Sequence, residues 1–152
     1  MIVLQFVSGE GIESEAIEAY SHGVVSHVDA VMPDGKLLGA RLEGGVQIRE
    51  PDYEKFDRIV RVQVPTLPTV VDDFYDWLKT QIGKPYDIAA IAAFGFGRNW
   101  REDGTWYCAE LIAAGLERHY FPYPLVSPTN RITPADLLLV LSALVPVHLE
   151  PT

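Results

Sequence analysis

The sequence holds one cysteine, so no disulfide can close within the chain and no oxidising compartment is marked. It has no run of Lys or Arg: 12 basic residues stand against 21 acidic ones, for a formal net charge of -9. A duplex-binding surface displaces counterions with a basic patch, so no nucleic acid is expected as a partner. An anionic membrane surface is disfavoured on the same grounds. No apolar run approaches the ~20 residues of a bilayer span; the two longest candidates are 88–96 and 137–147. Residues 1–7 lack a basic stretch and carry only a short apolar segment, which reads as a strand and not as a secretion signal. A cytoplasmic location is therefore the expectation. Internal repeats, low-complexity tracts, long linkers and a phosphate-cradling glycine motif are also missing. Four scattered histidines and one cysteine make a poor zinc site, so neither a metal nor a cofactor is expected.

What is present is an ordinary globular composition. The chain has 152 residues, 48% of them hydrophobic and 22% charged, which fits one domain over 1–152 with a core of its own. Val3–Val7 reads as a strand, broken by Gly9 and Gly11, and Ile12–Tyr20 as a short amphipathic helix. Pro33-Asp34-Gly35 is turn chemistry and makes Val24–Leu42 a hairpin. Val46–Arg49 and Arg58–Val64 follow as strands. Pro68 opens a helix that Gly83 ends; Asp87–Phe94 and Tyr107–His119 are two more. Thr133-Pro134 is an N-cap followed by Pro at the first helical position, before Ala135–Leu144, and Val145–Leu149 is a last strand. A strand cluster followed by helices is an α+β pattern.

Cys108 is the only thiol, so any cysteine chemistry must use it. A buried, space-filling cysteine is the alternative. The Asp103-Gly104-Thr105 turn would cap a helix and put Cys108 in its first turn, where free amides and the helix dipole favour thiolate. A thiolate nucleophile needs a base. His148 lies near the C-terminus, His119 ends the Cys108 helix three turns away, and His22 sits at a helix end. His27, at the start of a strand, is the candidate base; a structurally bonded strand histidine is the alternative. Glu110 reads as a structural acid at the helix start, since a second acid would raise the thiol's pKa. Trp100 and Trp106 flank an irregular stretch, as a substrate wall or as packing anchors.

Four blocks then resemble a known family in order. Ser26-His27-Val28-Asp29-Ala30-Val31, then Pro33-Asp34-Gly35, then Gly39-Ala40-Arg41 and Gly44-Gly45-Val46 resemble the histidine block of the circularly permuted papain-like NlpC-type cysteine hydrolases (YiiX/YycO-like). Gly83-Lys84-Pro85-Tyr86-Asp87 resembles the block before the nucleophile. Trp106-Tyr107-Cys108-Ala109-Glu110-Leu111 is similar to the nucleophile block, with Ala109 in place of the usual Ser. Ile132-Thr133-Pro134-Ala135-Asp136-Leu137 is similar to the start of the C-terminal helix. The resemblance implies a small antiparallel sheet or open barrel packed against helices, with Cys108 as nucleophile and His27 as base. It also implies a third polar residue that orients the histidine. Gly39 stands where many members carry Glu, so Glu43, at the end of the returning strand, is the candidate in its place; a solvated charge at a turn is the alternative. Tyr86 is a candidate for lining the site and donating to the oxyanion, or else a core tyrosine.

Three functions stay open. One is a cysteine peptidase or amidase acting on a peptide, amide or acyl substrate. Another is an acyltransferase or lipid-acting relative with the same machinery. The third is a binding module that keeps the fold with a weak site. The missing secretion signal disfavours a secreted cell-wall enzyme and would suit a phage or prophage protein.

Overall fold

The computed structural model describes residues 1–9, 25–96 and 103–150. The expected helix Ile12–Tyr20, His22 and Trp100 lie outside them. Six strands form one sheet: β1 (Ile2–Ser8), β2 (His27–Val31), β3 (Leu37–Arg41), β4 (Gly45–Arg49), β5 (Arg58–Val64) and β6 (Val147–Glu150). Their order across the sheet is β4-β3-β2-β1-β5-β6, and every neighbouring pair is antiparallel. Among the described residues four helices accompany it: α1 (Pro68–Lys79), α2 (Ile88–Phe96), α3 (Cys108–His119) and α4 (Pro134–Ser142). The α+β expectation and the open antiparallel sheet agree with this architecture. Among the described residues no helix is long and apolar enough to cross a membrane.

Residues alternate across a strand, so a polar/apolar period of two buries one face. Leu4 and Phe6 of β1, Val28 and Ala30 of β2, Leu38 and Ala40 of β3, and Val60 and Val62 of β5 lie in one core cluster. Phe74 and Leu78 of α1, Leu111, Ile112 and Leu116 of α3, and Leu137 and Leu141 of α4 complete it. Each large aliphatic buried there contributes about 1.5–3 kcal/mol. Helix α3 is central: it packs on β2, β3, α1 and α4. Gly115 lets α1 come close, since a Cβ there would press on the Phe74 ring.

The turns follow their sequence chemistry. Gly35 has a φ of 87° in the β2–β3 turn, which the Met32 and Lys36 backbones close. Helix α4 has the expected Thr133 cap, completed by Asp136: Asp136 N donates to Thr133 Oγ1 (3.1 Å), and Thr133 N donates to Asp136 Oδ2 (3.0 Å). Several boundaries differ from expectation by a residue or two, and two helix ends differ for a visible reason. Helix α1 stops at Lys79, short of Gly83, because the next turn tightens: Gln81 N bonds Leu78 O and Ile82 N bonds Lys79 O. Helix α3 is capped by Tyr107 with no side-chain cap bond, so the Asp103-Gly104-Thr105 turn leads into the helix without capping it.

Two close approaches carry the 83–87 block to the site. Val46 N donates to Lys84 O and Gly83 N donates to Val46 O, both at 2.9 Å. Farther along, Trp106 N donates to Pro85 O and Asp87 N to Trp106 O, and Tyr86 bridges Trp106 in parallel. This segment therefore zips β4 to the stretch that leads into α3. Gly45 makes the contact possible: its φ is 63°, and a Cβ there would overlap the Lys84 carbonyl oxygen. We expect Gly45→Ala to lose about 2 kcal/mol or more from left-handed strain plus the backbone clash, seen as a fall in Tm of about 5 °C or more. An unchanged melting curve would show that the approach does not matter.

Candidate active site

His27 is the first residue of β2 and Asp29 follows two positions later, so strand alternation turns both side chains to one side of the sheet. They meet: His27 Nε2 lies 3.0 Å from Asp29 Oδ1. The approach is bent, not in line with the N–H bond, so charge attraction carries it more than alignment does. Both residues are almost wholly buried, at 4% and 1% exposure. Cys108, at the first position of α3 and fully buried, lies close enough to the imidazole to act on its charge. Its place in the first turn puts Cys108 at the end of α3 where free amides and the positive end of the helix dipole lie.

These neighbours set the protonation of the ring. Burial pushes the His27 pKa down. The Asp29 carboxylate and the Cys108 sulfur, both close to the ring, outweigh it and raise the value to about 9. For Asp29, burial pushes up, while His27, Arg41 and the Tyr53 hydroxyl hold it below the usual carboxylate range. The imidazolium–carboxylate pair is thus the resting form at neutral pH.

A further tier holds the carboxylate. Tyr53, in the loop between β4 and β5, donates its hydroxyl to Asp29 Oδ2 (3.0 Å). The Arg41 guanidinium lies 4.8 Å from the centre of the Tyr53 ring and is ion-paired to Glu54. On the other side of Asp29 stands Gly39 of β3, whose Cβ would overlap Asp29 Oδ1. Gly39 therefore leaves open the volume that the carboxylate fills.

The structure brings together Cys108 and His27, two of the residues expected from the sequence, and leaves Glu43 apart. Glu43 sits in the exposed β3–β4 turn, where its backbone carbonyl accepts from Gln47 Nε2 (3.2 Å) and Arg49 Nη2 (3.1 Å). The carboxylate against the imidazole is that of Asp29. The signal for it was the i, i+2 spacing of His27 and Asp29 on a strand. Nothing in the sequence points to Tyr53, because a loop conformation brings it in. Tyr86 is buried beside Trp106, which stands two residues before Cys108. Trp106 is a packing anchor: it is 9% exposed, donates Nε1 to Gln81 Oε1 (3.1 Å) and meets Trp77 edge-on. Glu110 is fully buried in the first turn of α3. His119 lies against Trp77 at the far end of α3, and His148 is on the edge strand β6 opposite Arg61.

No family model matches the chain, and no curated protein matches it. Among solved structures it is similar to the crystal structure of the metalloprotein yiiX from Escherichia coli O157:H7, a DUF1105 protein. The two are 17% identical, with a TM-score of 0.58 over 99% of this chain and 95% of that one. At that identity the likeness establishes a common fold.

Two outcomes follow from the geometry. In Asp29→Asn the charge is removed while burial stays, so the proton leaves His27 at lower pH. The midpoint should fall from about 9 by at least about one unit, read from the imidazole signals in an NMR titration. Gly39→Ala meets only the end of a side chain, so the fold should survive while Asp29 is pushed off the ring. The His27 midpoint should then fall in the same direction as in Asp29→Asn. A His27 titration unchanged in both variants would mean that the carboxylate does not hold the proton there.

Proposed function

We propose that this protein is a cysteine hydrolase of peptidase or amidase type, built on a circularly permuted papain-like fold, with Cys108 as nucleophile, His27 as base and Asp29 as the group that orients the imidazole. The observation that carries this is the buried chain Asp29–His27–Cys108, in which an imidazole held protonated by a carboxylate lies beside the sulfur of a cysteine at a helix N-terminus. In this reading the Cys108 proton already rests on His27 in the imidazolium form, and the thiolate it leaves attacks the carbonyl carbon of an amide or ester. The oxyanion accepts from the Cys108 backbone N–H, whose helix position leaves it without an internal partner. Tyr86 supplies a second donor. As the tetrahedral centre collapses, the C–N or C–O bond breaks and His27 returns the proton to the leaving amine or alcohol. Water, deprotonated by His27, then cleaves the thioester and frees the acid and the thiol.

The order of the parts, histidine strand before nucleophile helix, is the order of a permuted papain-like chain. The shared fold with yiiX supports a relationship of that kind. yiiX is described as a metalloprotein. Among the described residues here, no group of three or more His, Cys, Asp or Glu side chains comes together to hold a metal ion. His27 Nε2 is already committed to Asp29. Among the described residues the donor set does not fit a metal ion.

Cys108 has no exposed surface, so reagents and substrates reach it only through local opening, and small reagents should react ahead of bulky ones. The test is the rate of Cys108 alkylation by iodoacetamide against pH, in the native protein and in His27→Ala. We expect a rate limb well below the free thiol value of ~8.5. We expect that limb to be lost in the variant, with a rate at pH 7 about tenfold lower, since a free thiol is only a few per cent ionised there. A rate profile that follows an ordinary thiol in both proteins would identify Cys108 as a structural residue and end the hydrolase proposal.

A further inference from the structure

We propose that Tyr53 is a positioning residue for the Cys108–His27 pair, acting through Asp29: its hydroxyl pins one carboxylate oxygen so that the other stays against the imidazole. This rests on the hydrolase reading above and adds to it a residue on a loop.

The need for a peg arises from Asp29 itself. The terminal torsion of an aspartate is broad and nearly two-fold, so the backbone does not fix where the oxygens point. On the β3 side Gly39 offers no side chain to confine them. Oδ1 faces His27 Nε2 at 3.0 Å and Oδ2 accepts from Tyr53 at 3.0 Å, so each oxygen has one partner on a different element.

The peg is itself held from several sides. The guanidinium of Arg41 lies 4.8 Å and that of Arg49 5.7 Å from the Tyr53 ring centre, and Phe56 packs edge-on at 5.5 Å. The loop is closed by Tyr53 N on Glu50 O (3.2 Å) and tied to β1 by Asp57 N on Ser8 O (2.9 Å). The Arg41–Glu54 ion pair ties it to β3. Burial and the Asp29 charge both push ionisation of the phenol up, so the hydroxyl remains a donor across the pH range of the reaction. The charged groups facing Asp29 are His27 on its own strand and Arg41 from β3, with the neutral Tyr53 hydroxyl from the loop. Gln5 is in register on β1 and is occupied by Arg61 of β5. On the far side of the pair, Glu110, Asp136 and Asp87 surround Tyr107, next to Cys108. None of these is moved by removing one phenolic oxygen.

The experiment is a cycle on the full chain: wild type, Tyr53→Phe, Asp29→Ala and the double variant, each assayed for Cys108 alkylation by iodoacetamide against pH. Thermal melting is the control for folding, and Asp29→Asn replaces Asp29→Ala if the latter does not fold. Tyr53→Phe keeps the ring under Arg41 and against Phe56, so its melt should stay near wild type. Its acid limb should rise by about half a unit and its rate at pH 7 should fall about threefold, a fraction of what a hydrogen bond to a charged group contributes. Asp29→Ala should shift the limb further, and adding Tyr53→Phe to it should change nothing more. A limb unmoved by Tyr53→Phe, or an effect that persists in full beside Asp29→Ala, overturns the proposal. His27→Ala separates the two levels. If it leaves the limb in place, the Cys108–His27 pair fails and this inference with it; if it moves the limb while Tyr53→Phe does not, only the role of Tyr53 fails.

Discussion

Strand β2 takes two ionisable side chains out of water together, and much of the surrounding structure answers to that. An isolated buried imidazolium or carboxylate is costly enough that it would give up its charge. His27 and Asp29 keep theirs because they lie 3.0 Å apart on one strand face and because each has a further partner. Cys108 meets the ring, and Tyr53 and Arg41 meet the carboxylate. Such a pair is weak evidence for stability, since a well-packed apolar replacement is often as stable.

The geometry of the pair constrains its neighbours in turn. Gly39 has to lack a side chain if the Asp29 carboxylate is to sit where it does. Gly45 has to lack one if the 83–87 segment is to run against β4 and then beside Trp106. That segment fixes the stretch before α3 and so sets where Cys108 begins its helix. Blocks far apart in the chain thus converge on a sulfur and a ring through backbone hydrogen bonds, and two glycines with different jobs make the convergence possible.

The elements themselves were legible in the sequence. The strand runs and the Pro33-Asp34-Gly35 hairpin all correspond to observed structure, as does the Thr133-Pro134 helix start. They rest on local physics: period-two burial, glycine at positive φ, and a hydroxyl that satisfies a free amide. Helix ends were less legible. Gln81 is drawn toward Trp106 and away from a continuing helix, and Tyr107 serves as a cap by conformation without a capping side chain.

At the site, the sequence by itself determined which residue types could react: one thiol, and a histidine on a strand that tertiary packing could bring to it. It could not choose the carboxylate. Glu43 and Asp29 are both acids near the same hairpin, and the difference between them is direction. Asp29 shares the His27 face because alternate strand residues do, and it finds space because Gly39 lies beside it; Glu43 falls on a turn and faces solvent. Tyr53 is farther still from anything local, because it arrives through a loop held by Arg41 and Glu54. Reactivity is a property of side chains, which a sequence states outright. Orientation depends on strand register, loop closure and the volume a glycine leaves empty, and these exist only once the chain has folded.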